Sequence, residues 1–578
     1  MIIPPWEKII ETKKCRISWQ DFFVTDKDLE FYDKISPIFW DKKYGIPSPA
    51  LCPEERNRRR MVFRNERKLY KRQCDLSGKE IISVYSPEWP YKVYEQGEWW
   101  SDRWSPMSYG KIFDFNSTFF EQIHMLSRAV PHPNLLTINN INSPYAQYTG
   151  ESKNIYMGAD VWKCEDAFYS TTIKEVKNCL DLYEVEFAEL CSECTLRKNL
   201  HTCHWAVRSF DCQNCDFVFN CKQCNNCLFC WWLRNKEYHI YNKPVSREQF
   251  MQTRNKLFET QSNIDKTLQE FSRIFSHWII KENWNINCEK CVWDDLKDCK
   301  DCVMTFDAVG CENCRYCITT YHNKNCMDTT IFNQESEWTI EGVCGWVKLY
   351  SCGYNYGSLY LSDGWYTWGC MNSNNTFWCV GLHSHEHHCI LNKSYSTQEY
   401  ETLCGKIVDH MRSTGEWGEF FPHELSPFWY NETVANEYFP MTESEVRAKG
   451  WNWHTEDTRS FEGTAYTPLP IREYDERVVG FETAQKNIDA VLAGTIRCEV
   501  TKKPFKIIKQ ELAFYIENWI PIPTKHPDQR HKERMDLRNP RTLYERTCSE
   551  CGKDIVTTYA PERPEKVVCE ECYRKLIY

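Results

Sequence analysis

The stretch CQNCDFVFNCKQCNNCLFC, Cys212 to Cys230, places six cysteines in nineteen residues, and the use of those thiols decides the fold. They can hold metal, form disulfides, run redox chemistry or pack. Cys194, Cys203, Cys212, Cys221 and Cys230 recur every nine residues, and Cys215 and Cys224 repeat the step. Further on, Cys288, Cys299 and Cys311 recur at 11 and 12, as do Cys291, Cys302 and Cys314. One residue type recurring between short apolar runs such as FVF predicts a β-solenoid, in which like residues stack in columns. Nine residues would then be half of a coil of about eighteen. Cysteine suits a narrow interior because the free thiol is small, apolar and adaptable.

The alternative is metal. Pairs spaced C-x2-C at 191/194, 212/215, 221/224, 227/230, 288/291, 299/302 and 311/314 would supply several four-thiolate sites. Metal knuckles usually carry glycine and longer hairpins, so packing is the favoured reading. A disulfide framework is disfavoured: the first residues carry only short apolar runs broken by charge and no stretch approaches a membrane span, so a reducing, cytoplasmic setting is expected. On the packing reading, serine at Cys212 or Cys221 should cost about 1–3 kcal/mol as an unsatisfied buried hydroxyl.

The array has two related halves. CWWLRNKEYHIYNKPVSREQF from Cys230 and CVGLHSHEHHCILNKSYSTQEY from Cys379 share a cysteine, leucine, histidine, Asn-Lys pair and serine. Ser246 with Gln249, and Ser396 with Glu399, read as capping boxes that start helices closing each solenoid. The first of these helices is expected to run through FMQTRNKLFETQSNIDKTLQEFSRIF. The organisation is therefore a mainly β chain: a module at 1–125, solenoid halves with capping helices at 140–285 and 286–415, a linker at 416–470 and a second module at 471–578.

The two ends are copies. RMVFRNERKLYKRQC from Arg60 matches RMDLRNPRTLYERTC from Arg534 at nine of fifteen positions. In the C-terminal copy Cys548, Cys551, Cys569 and Cys572 form C-x2-C, x17, C-x2-C, the spacing by which two knuckles bring four thiolates to one Zn2+. The N-terminal equivalents are Cys74, Ser77, Glu95 and Glu98, a single thiolate. Upstream, Cys15 and Cys52 stand with Ser18 and Glu55, and Cys498 and His526 with Thr501 and Gln529. These flanks, roughly 40 residues at each end, resemble a small probable zinc-ribbon family with its CxxC, EFY helix and CPxCR pattern. The whole chain resembles cysteine-rich bacterial proteins with zinc-ribbon ends, and with no catalytic constellation in the sequence a non-enzymatic zinc-binding protein is expected.

Arg56 to Arg72 carries nine basic residues against one acid. With a net charge of −10, any nucleic-acid contact must rest on such local patches. Arg58, Arg59, Arg60, Arg64 and Arg67, with Arg534, Arg538 and Arg541, are candidate contacts to RNA or a ribonucleoprotein. The alternative is a structural or protein-interaction scaffold whose basic segments dock on the acidic remainder of the chain. HSHEHH, residues 383–388, reads as a solvated loop. No nucleotide loop, nucleophile elbow or carboxylate pair stands out.

Overall fold

The computed structural model describes residues 3–275, 278–344, 347–455 and 464–577. Two β-solenoids fill the centre, one from Thr137–Ile138 to Lys243–Pro244 and one from Leu296–Lys297 to Lys393–Ser394. Parallel pairs Tyr183↔Thr195, Thr195↔Val207 and His204↔Asp216 give a coil of 12 residues. The expected eighteen-residue coil is therefore wrong. Every third residue faces inward, so each coil has four sides and four inward columns. Cys179, Cys191, Cys203, Cys215 and Cys227 stack in one of them. The nine-residue recurrence is a diagonal: one coil on and one side back. The second solenoid mixes steps of 12 and 13, as in Phe306↔Ile318 and Glu337↔Tyr350.

So small a coil demands a corner at each side. At every third residue from Tyr148 to Glu193, and again from Asn199 to Tyr241, φ lies between +47° and +58°. Left-handed backbone costs a non-glycine residue about 1–2 kcal/mol, and Asn and Asp tolerate it best. They recur at corners and stack: Asn142 Nδ2 donates to Asn154 Oδ1 (2.8 Å) and Asn154 Nδ2 to Asp166 Oδ1 (2.7 Å). The exposed corner Glu175, φ +54°, offers a test. Glu175→Gly should be neutral or stabilising by up to about 1 kcal/mol in urea unfolding, against the usual cost of glycine in a strand.

Inside, all the thiols are free and those from Cys164 to Cys389 are buried apart from Cys288 and Cys291. Each has a partner in the ladder except Cys344, a corner residue whose sulfur accepts from Arg64 Nη1 (3.1 Å). Cys194 Sγ donates to Ser192 O (3.2 Å) and Cys203 O (3.3 Å), and Cys203 Sγ to His201 O and Cys212 O (both 3.4 Å). Native serines use the same place: Ser209 Oγ donates to Val207 O and accepts from Cys221 N, both at 3.2 Å. Ser209 lies in the column of Cys221, and Ser152, in the column of Cys212, likewise donates to Gly150 O (2.7 Å) and accepts from Cys164 N (3.1 Å), so a serine hydroxyl at these inward positions is satisfied, which corrects the expected penalty. Cys212→Ser should change stability by less than about 1 kcal/mol. Cys215→Leu, which overfills the column, should lose about 1–3 kcal/mol by the same measurement.

Helices close both arrays, and each begins at its predicted capping box. Gln249 N donates to Ser246 Oγ (3.2 Å) ahead of Arg247–Leu257, and Glu399 N to Ser396 Oγ (3.3 Å) ahead of Thr397–Thr414. The first is shorter than expected: it stops at Leu257 and a second helix, Gln261–Phe275, follows. Their apolar sides bury Phe250, Leu257 and Ile264, and Tyr400, Ile407 and Met411.

The terminal modules dock crosswise. The N-terminal module lays the helix Pro53–Met61 on the second solenoid, and the C-terminal module lays Pro527–Asp536 on the first. The segment 416–455 wedges between them. There Glu419 meets Arg59 (2.6 Å), Glu437 meets His531 (3.3 Å) and the Tyr438 hydroxyl accepts from Arg538 (2.8 Å).

Candidate metal centre and the docking arginines

The strand Tyr544–Thr547 ends in a tight knuckle. Cys548 N donates to Lys553 O (2.8 Å) and Gly552 N to Cys548 O (3.0 Å). Gly552, at φ +73°, takes the left-handed position the turn requires, and Cys551 projects beside it. The strand Lys566–Val568 then delivers Cys569, and the first turn of Glu570–Ile577 carries Cys572.

All four Sγ atoms lie within 4.8 Å of one another, with Cys551 Sγ and Cys569 Sγ 3.8 Å apart. Bonds of about 2.3 Å to a tetrahedral ion put thiolates roughly 3.8 Å apart, so the donor set fits such an ion. Burial raises the Cys548 thiol, but N–H groups of Cys551, Cys569 and Glu550 outweigh it and bring it down to about 6, whereas burial and the neighbouring thiols push Cys572 up to about 12. Among the described residues this is the one group of three or more donors gathered so closely.

The other three knuckles keep the backbone and lack the ligands. Cys15 N donates to Gln20 O (2.9 Å), Cys74 N to Lys79 O (2.8 Å) and Cys498 N to Lys503 O (2.9 Å). Around Cys74 the backbone N–H groups of Ser77 (3.4 Å) and Glu95 (3.2 Å) point at its sulfur. At the first flank Ser18 Oγ contacts Cys52 Sγ at 3.7 Å, while Glu55 is engaged by Arg58. Their common geometry supports the reading of the ends as copies.

The candidate RNA-contacting arginines lie elsewhere than expected. Arg60 is fully buried and pairs with Asp328 (3.2 Å) and Glu341 (2.6 Å), while Arg56 Nε reaches Asp328 (2.9 Å) and Arg59 meets Glu341 (3.3 Å). In the other copy Arg534 pairs with Asp181 (2.8 Å) and Glu193 (2.6 Å), and Arg530 with Asp181 (2.8 Å). Each helix thus sets arginines four apart, on one face, against corner carboxylates of successive coils. Burial would raise the Glu341 carboxyl, but Arg60, Arg59 and Arg56 hold it below its ordinary value.

Arg64, fully buried, joins Asp160 and lies 4.0 Å from the Tyr148 ring centre. Arg538 lies over Tyr183 and Tyr438, and Arg541 meets Asp307 (2.6 Å). Arg67 pairs with Asp528 at the start of the opposite docking helix (2.7 Å). Arg58 lies over Phe439 and Trp451. These side chains are committed to carboxylates and rings of the same chain, where the sequence reading expected a phosphate-binding face. The sequence hid this because Asp181 and Asp328 look like any acidic corner.

His383 is packed rather than solvated. Its ring lies 4.6 Å from Trp99 and 5.1 Å from Trp104, and it is 8% exposed.

No protein-family model matches this chain. Among solved structures it is similar to a Desulfovibrio desulfuricans protein described as an acetyltransferase, at 9% identity over 49% of this chain and 81% of that one. The TM-score of that likeness is 0.10, and it carries no argument. No helix among the described residues is long and apolar enough to cross a membrane.

Proposed function

We propose that this protein is a non-enzymatic scaffold: two cysteine-cored solenoids clamped by twin terminal modules, with one structural Zn2+ at Cys548, Cys551, Cys569 and Cys572. The observation that carries the reading is the matched set of buried ion pairs, Arg60 with Asp328 and Glu341, and Arg534 with Asp181 and Glu193. Such pairs break only at a large cost, because a carboxylate left alone in the interior is strongly destabilising. A phosphate backbone would have to displace those carboxylates one by one. A scaffold needs this rigidity, and the crosswise docking holds both solenoids in one body.

Full-length protein purified in high salt and tested against single-stranded RNA decides between scaffold and RNA contact. The scaffold reading expects a protein-like absorbance ratio and no affinity beyond weak, non-specific association. Tight binding that falls steeply with salt, and is lost on charge reversal at Arg58, Arg59 and Arg60 without loss of stability, would restore the RNA reading.

A further inference from the structure

The second solenoid starts with an open end. Its first coil pairs with the next through Ile286↔Lys297, Glu289↔Lys300 and Val292↔Val303, so Cys288 stacks on Cys299 and Cys291 on Cys302. Ile286 at this end is 45% exposed. Of the cysteines from Cys164 to Cys389, Cys288 and Cys291 alone escape burial, whereas Cys299 and Cys302 beneath them are buried. Cys291 also lines an open cleft of about 1020 Å³ with Trp293, Ser549 and Lys553, beside the ribbon knuckle. A small ion therefore reaches these thiols without the coil opening.

The register stacks the donors in two pairs, Cys288 on Cys299 and Cys291 on Cys302. Unlike Cys548, Cys551, Cys569 and Cys572, these four do not form a close cluster of three or more donors among the described residues. Neighbouring coils lie about 4.8 Å apart, the strand spacing, which sets the scale for thiols stacked between them. Two metal–sulfur bonds of about 2.3 Å end to end span nearly that distance. Thiolates prefer soft ions, monovalent copper among them.

We propose that Cys288, Cys291, Cys299 and Cys302 form a binding site for a soft monovalent cation of the Cu(I) class, held in two-coordinate fashion between stacked thiolates at the solenoid mouth. Binding replaces the two S–H protons of a stacked pair, which leave to solvent. The site is separate from the ribbon and stands whether or not the scaffold reading does.

The test is anaerobic titration of zinc-loaded, full-length protein with Cu(I) against bathocuproine disulfonate, with zinc release followed by a chromogenic chelator. The first equivalent of Cu(I) should bind without releasing zinc. In the Cys288→Ser/Cys291→Ser variant its affinity should fall at least tenfold, with zinc content and circular dichroism unchanged. Serine occupies inward positions natively at Ser170 and Ser209, so this variant keeps the ladder. Single Cys288→Ser and Cys291→Ser variants, each keeping one stacked pair, should show intermediate losses. Absence of Cu(I) binding, equal affinity in the double variant, or zinc displacement by the first equivalent would each overturn the proposal.

Discussion

Arg60→Ala will destabilise the protein by about 3–5 kcal/mol, the cost of leaving a buried ion pair without one partner. The mechanism is specific. Arg60 is fully buried, and its guanidinium holds Asp328 and Glu341 on two successive coils. Without it, two desolvated carboxylates share only Arg56 and Arg59. Arg534→Ala should behave alike, because Arg534 joins Asp181 to Glu193 in the same way. Arg477, 77% exposed on its pair with Asp475, is the control: Arg477→Ala should stay within about 0.5 kcal/mol of the parent. Urea unfolding of the three variants gives the comparison directly. If Arg60→Ala and Arg477→Ala proved equal, the docking account would fail.

The second large effect is loss of the Zn2+ proposed at Cys548, Cys551, Cys569 and Cys572. One Zn2+ per chain is expected by elemental analysis, and the apparent binding energy of such sites, about 10 kcal/mol or more, is also folding energy. Removal with a strong chelator, or Cys569→Ala, should unfold the ribbon locally. The change should propagate, because Lys566–Val568 pairs in parallel with Ile279–Lys281 and Glu570 N donates to Glu282 Oε1 (3.1 Å). Hydrogen exchange should then rise together in residues 544–577 and 279–282, while the coils from Cys191 to Cys227 stay protected. A chelated chain with its C-terminal protection intact would show that the four thiols need no ion.

Much of the architecture was legible because it repeats. The cysteine columns, the capping boxes at Ser246 and Ser396, the twin terminal modules and the four clustered thiols all carry local spacing signals. The coil length was misread for a physical reason. Cysteine fills several of the four inward columns, so the eye follows the nine-residue diagonal from Cys194 to Cys230 rather than the true step from Cys191 to Cys203. Corner residues held the better signal: Asn142, Asn154 and Asp166 recur every 12 residues and are the types that accept a left-handed backbone. The fate of the arginines was not legible at all. Arg60 is more than 260 residues from Asp328, as the 270-residue separation of its partner Thr330 indicates, and no local pattern marks that carboxylate as its partner. A run of basic residues on a short helix reads the same whether it faces phosphate or a buried acidic corner.

The most direct test is a double-mutant cycle between Arg60 and Glu341, with Arg60→Ala, Glu341→Gln and the double variant unfolded in urea. If the modules are clamped to the solenoids as described, the cycle should return a coupling of about 0.5–3 kcal/mol, the range for residues sharing one ion-pair network. Additive effects, with a coupling below about 0.5 kcal/mol, would contradict the clamp and free these arginines for another partner.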